Sequence, residues 1–273
     1  MTYKIGWFST GRDKAARDLL RAVQKSIDEG KIRNSKIAFV FSNRQRGENR
    51  ESDRFFQLVE KLGLNLICFS SRKFDPDLRK KKIGSWRLLY DEEIMKRIDK
   101  FGVDLIVLAG YMLILGEKIC RRYPIINLHP ALPNGPKGTW QQVIWNLIEE
   151  EAEQTGAMIH LVTPELDAGP PLTYCSFPIR GGKFDILWQK MREKLKEKTL
   201  REIKEEEGEE EPLFKEIRKE EARRELPLIV HTLKLLSEGK IRIGKGRVEE
   251  GGLCVNEEVE EEIKSDETGE PGL

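Results

Sequence analysis

Short apolar runs separated by amphipathic stretches follow one another along the first two thirds of the chain. Residues 4–8 read as a first strand, and Ser9-Thr10-Gly11-Arg12-Asp13 as the loop after it. Ala16, Leu19, Leu20, Val23 and Ile27 then recur at helical spacing. Further strands are predicted at 37–41, 64–69, 103–109, 125–128, 158–162 and 172–178, with helices at 55–62, 91–101, 116–122 and 140–151. The run 103–109 is almost wholly apolar, as befits a strand covered on both faces. Such β-α alternation predicts an α/β fold with a doubly wound, mostly parallel sheet of Rossmann type, which 158–162 and 172–178 would extend. No G-x-G-x-x-G follows the first strand, which argues against a dinucleotide site.

Past the predicted core at 1–189 the pattern changes. Residues 190–225 are dominated by Lys, Arg and Glu, including two Glu triplets around Gly208. Glu197 and Arg201 have the i,i+4 order that supports an exposed helix, and Leu187, Met191 and Leu195 offer only a narrow apolar stripe. A solvated, charged helical extension is expected, and self-association through it is the partner-binding alternative. Residues 226–248 read as a C-terminal helix, opening at Pro227 and stopping at Gly239, then an edge strand at 240–243. The acidic stretch 249–273 is expected to be flexible.

Composition narrows the function classes. Charged residues make up 35% of the chain, yet 48 Lys+Arg and 47 Asp+Glu nearly cancel. A general nucleic-acid surface would need a basic excess. The cysteines Cys68, Cys120, Cys175 and Cys254 lack metal-ligand spacing, so reduced thiols and no metal are expected. No apolar run is long enough to span a bilayer, and the chain enters its first strand at once. Together these predict a cytoplasmic protein with no membrane partner.

Chemistry concentrates at Asn127-Leu128-His129-Pro130 and at Glu165-Leu166-Asp167-Ala168-Gly169-Pro170. Pro130 has no N–H for a sheet ladder, so Asn127 and His129 fall at a strand exit on one side of the pleat. Ligands of open α/β sheets bind at that edge. Asp167, in a loop punctuated by Gly and Pro, can return to it. An amide, an imidazole and a carboxylate together suit acyl transfer to an amine, through an intermediate bearing an oxyanion and a spare proton. His231, inside an apolar helical run, reads as structural.

The segments Asn127–Pro133, Gly156–Val162 and Glu165–Pro170, with Val40-Phe41-Ser42-Asn43 and Leu108–Leu115 upstream in the same order, resemble the folate-dependent formyltransferases. The resemblance runs from about Lys4 to about Ile179 and is strongest to the branch that acts on glycinamide ribonucleotide. It implies a formyltransferase-like fold and 10-formyltetrahydrofolate as formyl donor. The acceptor it implies is a small phosphorylated amine. Asn127 would hold the oxyanion, His129 would manage the proton, and Asp167 would align and charge the imidazole. Tyr111, Met112, Leu113, Ile114 and Leu115 match the folate segment, with Val162, Glu165 and Leu166 completing the pocket wall. His160 matches a family position behind the site.

The family places substrate phosphate on the loop holding Gly11, Arg12 and Asp13, at a helix N-terminus suited to anions. This chain departs from the glycine-rich pattern there, with Arg12 in place of a small residue. It departs again at Thr139-Trp140, close to where the acceptor would sit. Other readings stay open on these residues: another acceptor such as an amino-sugar nucleotide, hydrolysis of the formyl-folate, or a non-catalytic interaction protein on this scaffold. Formylation of methionyl-tRNA is disfavoured by the acidic tail.

Overall fold

The computed structural model describes residues 2–244 and 247–268. In chain order the elements are β1 (Tyr3–Phe8), α1 (Lys14–Asp28), β2 (Ser35–Ser42), α2 (Arg50–Lys61), β3 (Leu66–Cys68), α3 (Pro76–Lys81), α4 (Ile83–Ile98), β4 (Leu105–Leu108), α5 (Glu117–Arg122) and β5 (Ile125–His129). There follow α6 (Trp140–Glu149), β6 (Gln154–Leu161), β7 (Pro171–Pro178), α7 (Lys183–Lys194), α8 (Leu200–Glu206) and α9 (Pro212–Ser237). The chain continues through β8 (Arg242–Gly244), β9 (Arg247–Glu249), β10 (Leu253–Cys254) and α10 (Asn256–Thr268). Eight strands form one sheet in the order β10-β7-β6-β5-β4-β1-β2-β3, while β8 and β9 form a separate antiparallel pair. β1 pairs in parallel with β2 and β4, β2 with β3, and β4 with β5. The doubly wound, mostly parallel sheet expected from the alternation is therefore present.

The chain divides into two compact units. The first comprises Met1–Leu128, Ile159–Leu172 and Ile229–Gly251. Its core joins Phe8, Phe39, Phe41 and Ile106 from the strands to Trp86, Tyr90, Ile94 and Ile98 along one stripe of α4. That helix begins well before the predicted residue 91, and α3 was not predicted at all. The charged run Arg79–Lys82 disguises both, although Trp86 and Tyr90 stack with ring centroids 4.8 Å apart and bury almost completely. Among the described residues no helix is long and apolar enough to cross a membrane.

The second unit comprises His129–Met158, Thr173–Leu228 and Gly252–Leu273. Val143, Ile144, Trp145 and Leu147 of α6 pack with Phe184, Trp188 and Met191 of α7 and with Ile203, Leu213, Phe214 and Ile217. The charged extension is thus not a solvated appendage. Ile203, Leu213, Phe214 and Ile217 of this segment are buried in that core. The stripe on α7 is Phe184-Trp188-Met191, and Leu195 is exposed, contrary to the predicted Leu187-Met191-Leu195.

Three further expectations are corrected. Pro227 does not open a helix but lies inside α9. It removes one backbone hydrogen bond and costs about 3 kcal/mol in a helix interior. Burial of Leu228, Ile229 and Leu233 immediately after it offsets that cost. Among the described residues, the edge strand predicted at 240–243 pairs with β9 and not with the main sheet.

The tail predicted to be flexible is ordered through 268, and only 269–273 of it lies outside the described residues. β10 adds to β7, and Val255 N donates to Tyr174 O at 2.9 Å. Asn256 Oδ1 accepts from Ser176 N at 2.7 Å, and Val255, Val259 and Ile263 are buried. Ending the chain after Glu250 should therefore lower unfolding stability by on the order of 4 kcal/mol, about what burial of these aliphatic side chains supplies. Urea melts of the full and shortened chains decide it: coincident midpoints would show that the tail contributes nothing.

Candidate active site

β5 ends at His129 because Pro130 cannot continue the ladder. In the first unit, Asn127 near that end meets two residues brought back by β6 and its following loop. Its Nδ2 lies 3.3 Å from Nε2 of His160, and that Nε2 lies 3.7 Å from Oδ1 of Asp167. His160 Nδ1 stands 3.1 Å from the carbonyl oxygen of Leu161. A carbonyl only accepts, so Nδ1 carries the proton in the neutral ring and Nε2 offers its lone pair to the Asn127 amide. His160 therefore fixes which way the Asn127 side chain faces. Protonation of the same ring would turn Nε2 into a donor toward Asp167.

Asp167 reaches this position through an unusual backbone. Its φ is +48°, in the left-handed region that only Gly, Asn and Asp enter readily. The loop closes back on β6 by Leu161 N donating to Pro170 O at 2.9 Å, and Val162 N donates to Ile125 O at 2.7 Å. A Cβ at Gly169 would fall on the carbonyl oxygen of Leu161, so only glycine permits this return. Glu165 and Leu166 on the same loop are exposed and Val162 is half-buried.

In the second unit, His129 is buried and its Nε2 stands 3.0 Å from the carbonyl oxygen of Pro136. The same chemical rule puts the proton of the neutral ring on Nε2 and the basic lone pair on Nδ1. Thr139 and Trp140, the departures from the family pattern, have structural roles. Thr139 caps α6 in a reciprocal capping box with Gln142. The Trp140 ring lies 5.8 Å from that of Phe214 and beneath the Arg218 guanidinium at 4.8 Å.

The predicted donor segment splits by face. Tyr111 and Leu115 are buried in the first unit's core and Leu113 packs partly against it, while Met112 and Ile114 are exposed. Only the latter two side chains, with the backbone, are presented outward. Burial pushes the Tyr111 phenol well above its usual range. Residues that sequence reasoning missed hold this segment at both ends. Thr10 Oγ1 accepts from Met112 N at 3.0 Å and donates to Asn43 Oδ1 at 2.8 Å. Asp91 Oδ2 accepts from Gly116 N at 2.5 Å. A carboxylate on the apolar stripe of α4, between Tyr90 and Ile94, was the available signal for Asp91.

At the loop predicted for phosphate, Gly11 has φ +64° and a Cβ there would collide with Phe55. The Asp13 carboxylate caps α1, accepting from Ala16 N at 2.9 Å, and Arg12 Nε lies 3.6 Å from it.

Burial lifts the Asp91 carboxyl to about 6, against the opposing pull of the Gly116 N–H and of Arg87. A folded-state value above the ordinary one means the folded protein prefers the protonated form. The stability this supplies is complete below about pH 4 and is lost as pH rises through about 6. Asp91→Asn keeps an acceptor for Gly116 N–H and removes the buried charge. It should gain about 1–3 kcal/mol over the parent at pH 8, with little difference at pH 4. Denaturant titrations at both pH values test this, and an Asn variant weaker than the parent at pH 8 would refute it.

The formyl transferase family profile matches residues 4–201. A phosphoribosylglycinamide formyltransferase of Dictyostelium discoideum is 30% identical over 189 residues, covering 66% of this chain and 85% of that protein. The enzyme of that name from Escherichia coli K12 is 35% identical over 98 residues, covering 35% of this chain and 45% of its own. The crystal structure of glycinamide ribonucleotide transformylase 1 from Symbiobacterium toebii superposes with a TM-score of 0.64 at 20% identity, over 90% of this chain and 93% of that one. At that identity it speaks for the fold.

Proposed function

Because the chain belongs to the formyl transferase family, we propose that it moves a formyl group from 10-formyltetrahydrofolate to the amine of glycinamide ribonucleotide. The acceptor rests on the named relatives, and the reaction would then serve purine biosynthesis. The observation that carries the reading is the grouping of Asn127, His160 and Asp167 at the end of β5, inside the family-matched region. Four free cysteines suit the reducing cytoplasm in which we place the reaction.

The acceptor amine attacks the formyl carbon, and the carbonyl oxygen becomes an oxyanion. The Asn127 amide, held by His160, donates to that oxygen. His129, two residues along the same strand, takes the amine proton, while Asp167 stands with His160 behind the Asn127 amide. Collapse breaks the bond from the formyl carbon to N10, which receives a proton in exchange for the one lost by the amine. The products are the formamide and tetrahydrofolate. Met112, Ile114 and the backbone of 111–115, with Val162, Glu165 and Leu166, form the donor's wall in this reading. Gly11 and Arg12 lie where the family places phosphate, whereas the Asp13 carboxylate has the wrong sign to take part directly.

Incubation with 10-formyltetrahydrofolate and a panel of amines, following folate release, tests the function. Glycinamide ribonucleotide should be turned over fastest; release without any amine would instead indicate a hydrolase. His129→Ala should lower kcat by roughly 10²–10⁴-fold and Asn127→Ala by roughly 10²–10³-fold, with unchanged circular dichroism. Near-parental turnover in either variant removes that residue from the mechanism.

A further inference from the structure

The His129 ring leans on a carbonyl that no helix or strand holds. Its Nε2 stands 3.0 Å from Pro136 O, within the irregular stretch 130–139 that joins β5 to α6. Before Pro136, a turn is closed by Gly135 N donating to Leu132 O at 2.9 Å. After it, Gly138 takes φ +110°, and a Cβ there would come within 2.5 Å of Gln142 Oε1, so the loop lies tightly on the first turn of α6. Pro136 is thus only as fixed as the start of that helix.

That start is tied down from α9 and the turn before it. The Trp140 ring lies 5.8 Å from the Phe214 ring and 4.8 Å from the Arg218 guanidinium above it. Phe214 is fully buried and also meets the Trp145 ring of α6 at 4.9 Å. Glu225 takes both arms of Arg218, Oε1 from Nη1 at 2.5 Å and Oε2 from Nη2 at 3.4 Å, and Glu221 Oε2 lies 3.9 Å from Nη1. A two-pronged pair of this kind fixes the guanidinium plane over the ring. Gln141 adds another tie, its Nε2 donating to Glu209 Oε1 at 3.1 Å. Glu209, Phe214, Arg218 and Glu225 all lie beyond residue 201, where the family match ends, and all belong to the same unit as His129.

We propose that residues 208–225 brace the catalytic imidazole: through Trp140 and Gln141 they fix the Pro136 carbonyl, and that carbonyl fixes the tautomer of His129. Trp140 and Arg218 are then positioning residues, acting on the ring through Pro136. A carbonyl only accepts, so without it the neutral ring is released to carry its proton on either nitrogen. With the proton on Nδ1, that atom has no lone pair for the amine proton. The consequence for turnover rests on the formyl-transfer reading; the tautomer does not.

Nitrogen-15 NMR of the imidazole rings, recorded on the full chain at alkaline pH, reads the tautomer, and the spectrum of His129→Gln assigns the signals among the three histidines. The parent should hold His129 in the Nε2–H form. Trp140→Leu fills space but gives Arg218 no ring; it should mix the tautomers and lower kcat by roughly 10–10²-fold, with KM for the formyl donor unchanged. Trp140→Phe keeps a ring between Phe214 and Arg218 and should restore both readouts. Ile203→Val loosens the same core away from the loop and should leave both at parental values. A parent without a fixed tautomer, a Trp140→Leu protein that keeps it, or an equal change in Ile203→Val would overturn the brace. So would mixed tautomers with the kcat of an active parent. If the tautomer responds as stated but the parent transfers formyl to no amine, the formyl-transfer reading fails and the brace stands.

Discussion

The return of the 162–169 loop against β6 is the constraint on which the first unit's site depends. Gly169 lies where any side chain would strike the Leu161 carbonyl, and two residues earlier Asp167 adopts a left-handed backbone. A non-glycine residue in that region carries of order 1 kcal/mol of strain, less for aspartate than for a branched residue. The strain persists because the Leu161–Pro170 and Val162–Ile125 backbone bonds pin both ends of the turn. Its result is a carboxylate beside His160, whose ring in turn fixes the Asn127 amide. Preorganisation of this kind lets an amide stabilise developing charge without reorganising at the moment of reaction.

At the other end of that edge, polarity is buried rather than exposed. Ser9, Thr10, Ser42, Asn43, Ser52, Ser70 and Ser71 are all buried, and several bond one another or nearby backbone. Satisfied groups of this kind rigidify a region, while an unpaired buried group would cost about 1–3 kcal/mol. The 110–116 segment inherits this rigidity through Thr10 at its start and Asp91 at its end. Such anchoring explains how a segment with two exposed apolar side chains, Met112 and Ile114, keeps a defined backbone.

Legibility in the sequence followed the periodicity. Strand runs and the helix after β1 were readable because alternation and 3.6-residue spacing are properties of the elements themselves. The strand-exit position of Asn127 and His129 was readable because Pro130 forbids the ladder. The contact of His160 with Asp167 was not, since it depends on a glycine whose role appears only when Leu161 is seen beside it. Asp91 and Thr10 were equally hidden, because their partners are backbone amides 25 and 102 residues away. Thr139 and Trp140 stand out in the sequence as departures from the family pattern, and only the structure shows that they also act as a helix cap and as a ring beside Phe214.

The largest misreading concerned charge, and its cause is physical. Composition predicts a solvated segment at 190–225, but composition does not say where the charged ends of side chains go. Along α9, Glu220 is held by Lys183 at 2.5 Å and by Arg224 at 2.7 Å, and Arg224 also reaches Glu260 of α10 at 2.6 Å. The Arg224 guanidinium lies 4.3 Å from the centre of the Phe177 ring, spending its apolar face on packing. These pairs hold the Glu220 carboxyl down to about 2, while neighbouring Glu221, fully buried with Thr155, is pushed well above its usual range. Two adjacent glutamates in one helix thus end in opposite protonation tendencies. Sequence places them side by side, and only the partners that α7, α10 and β6 bring to each decide which one carries the charge.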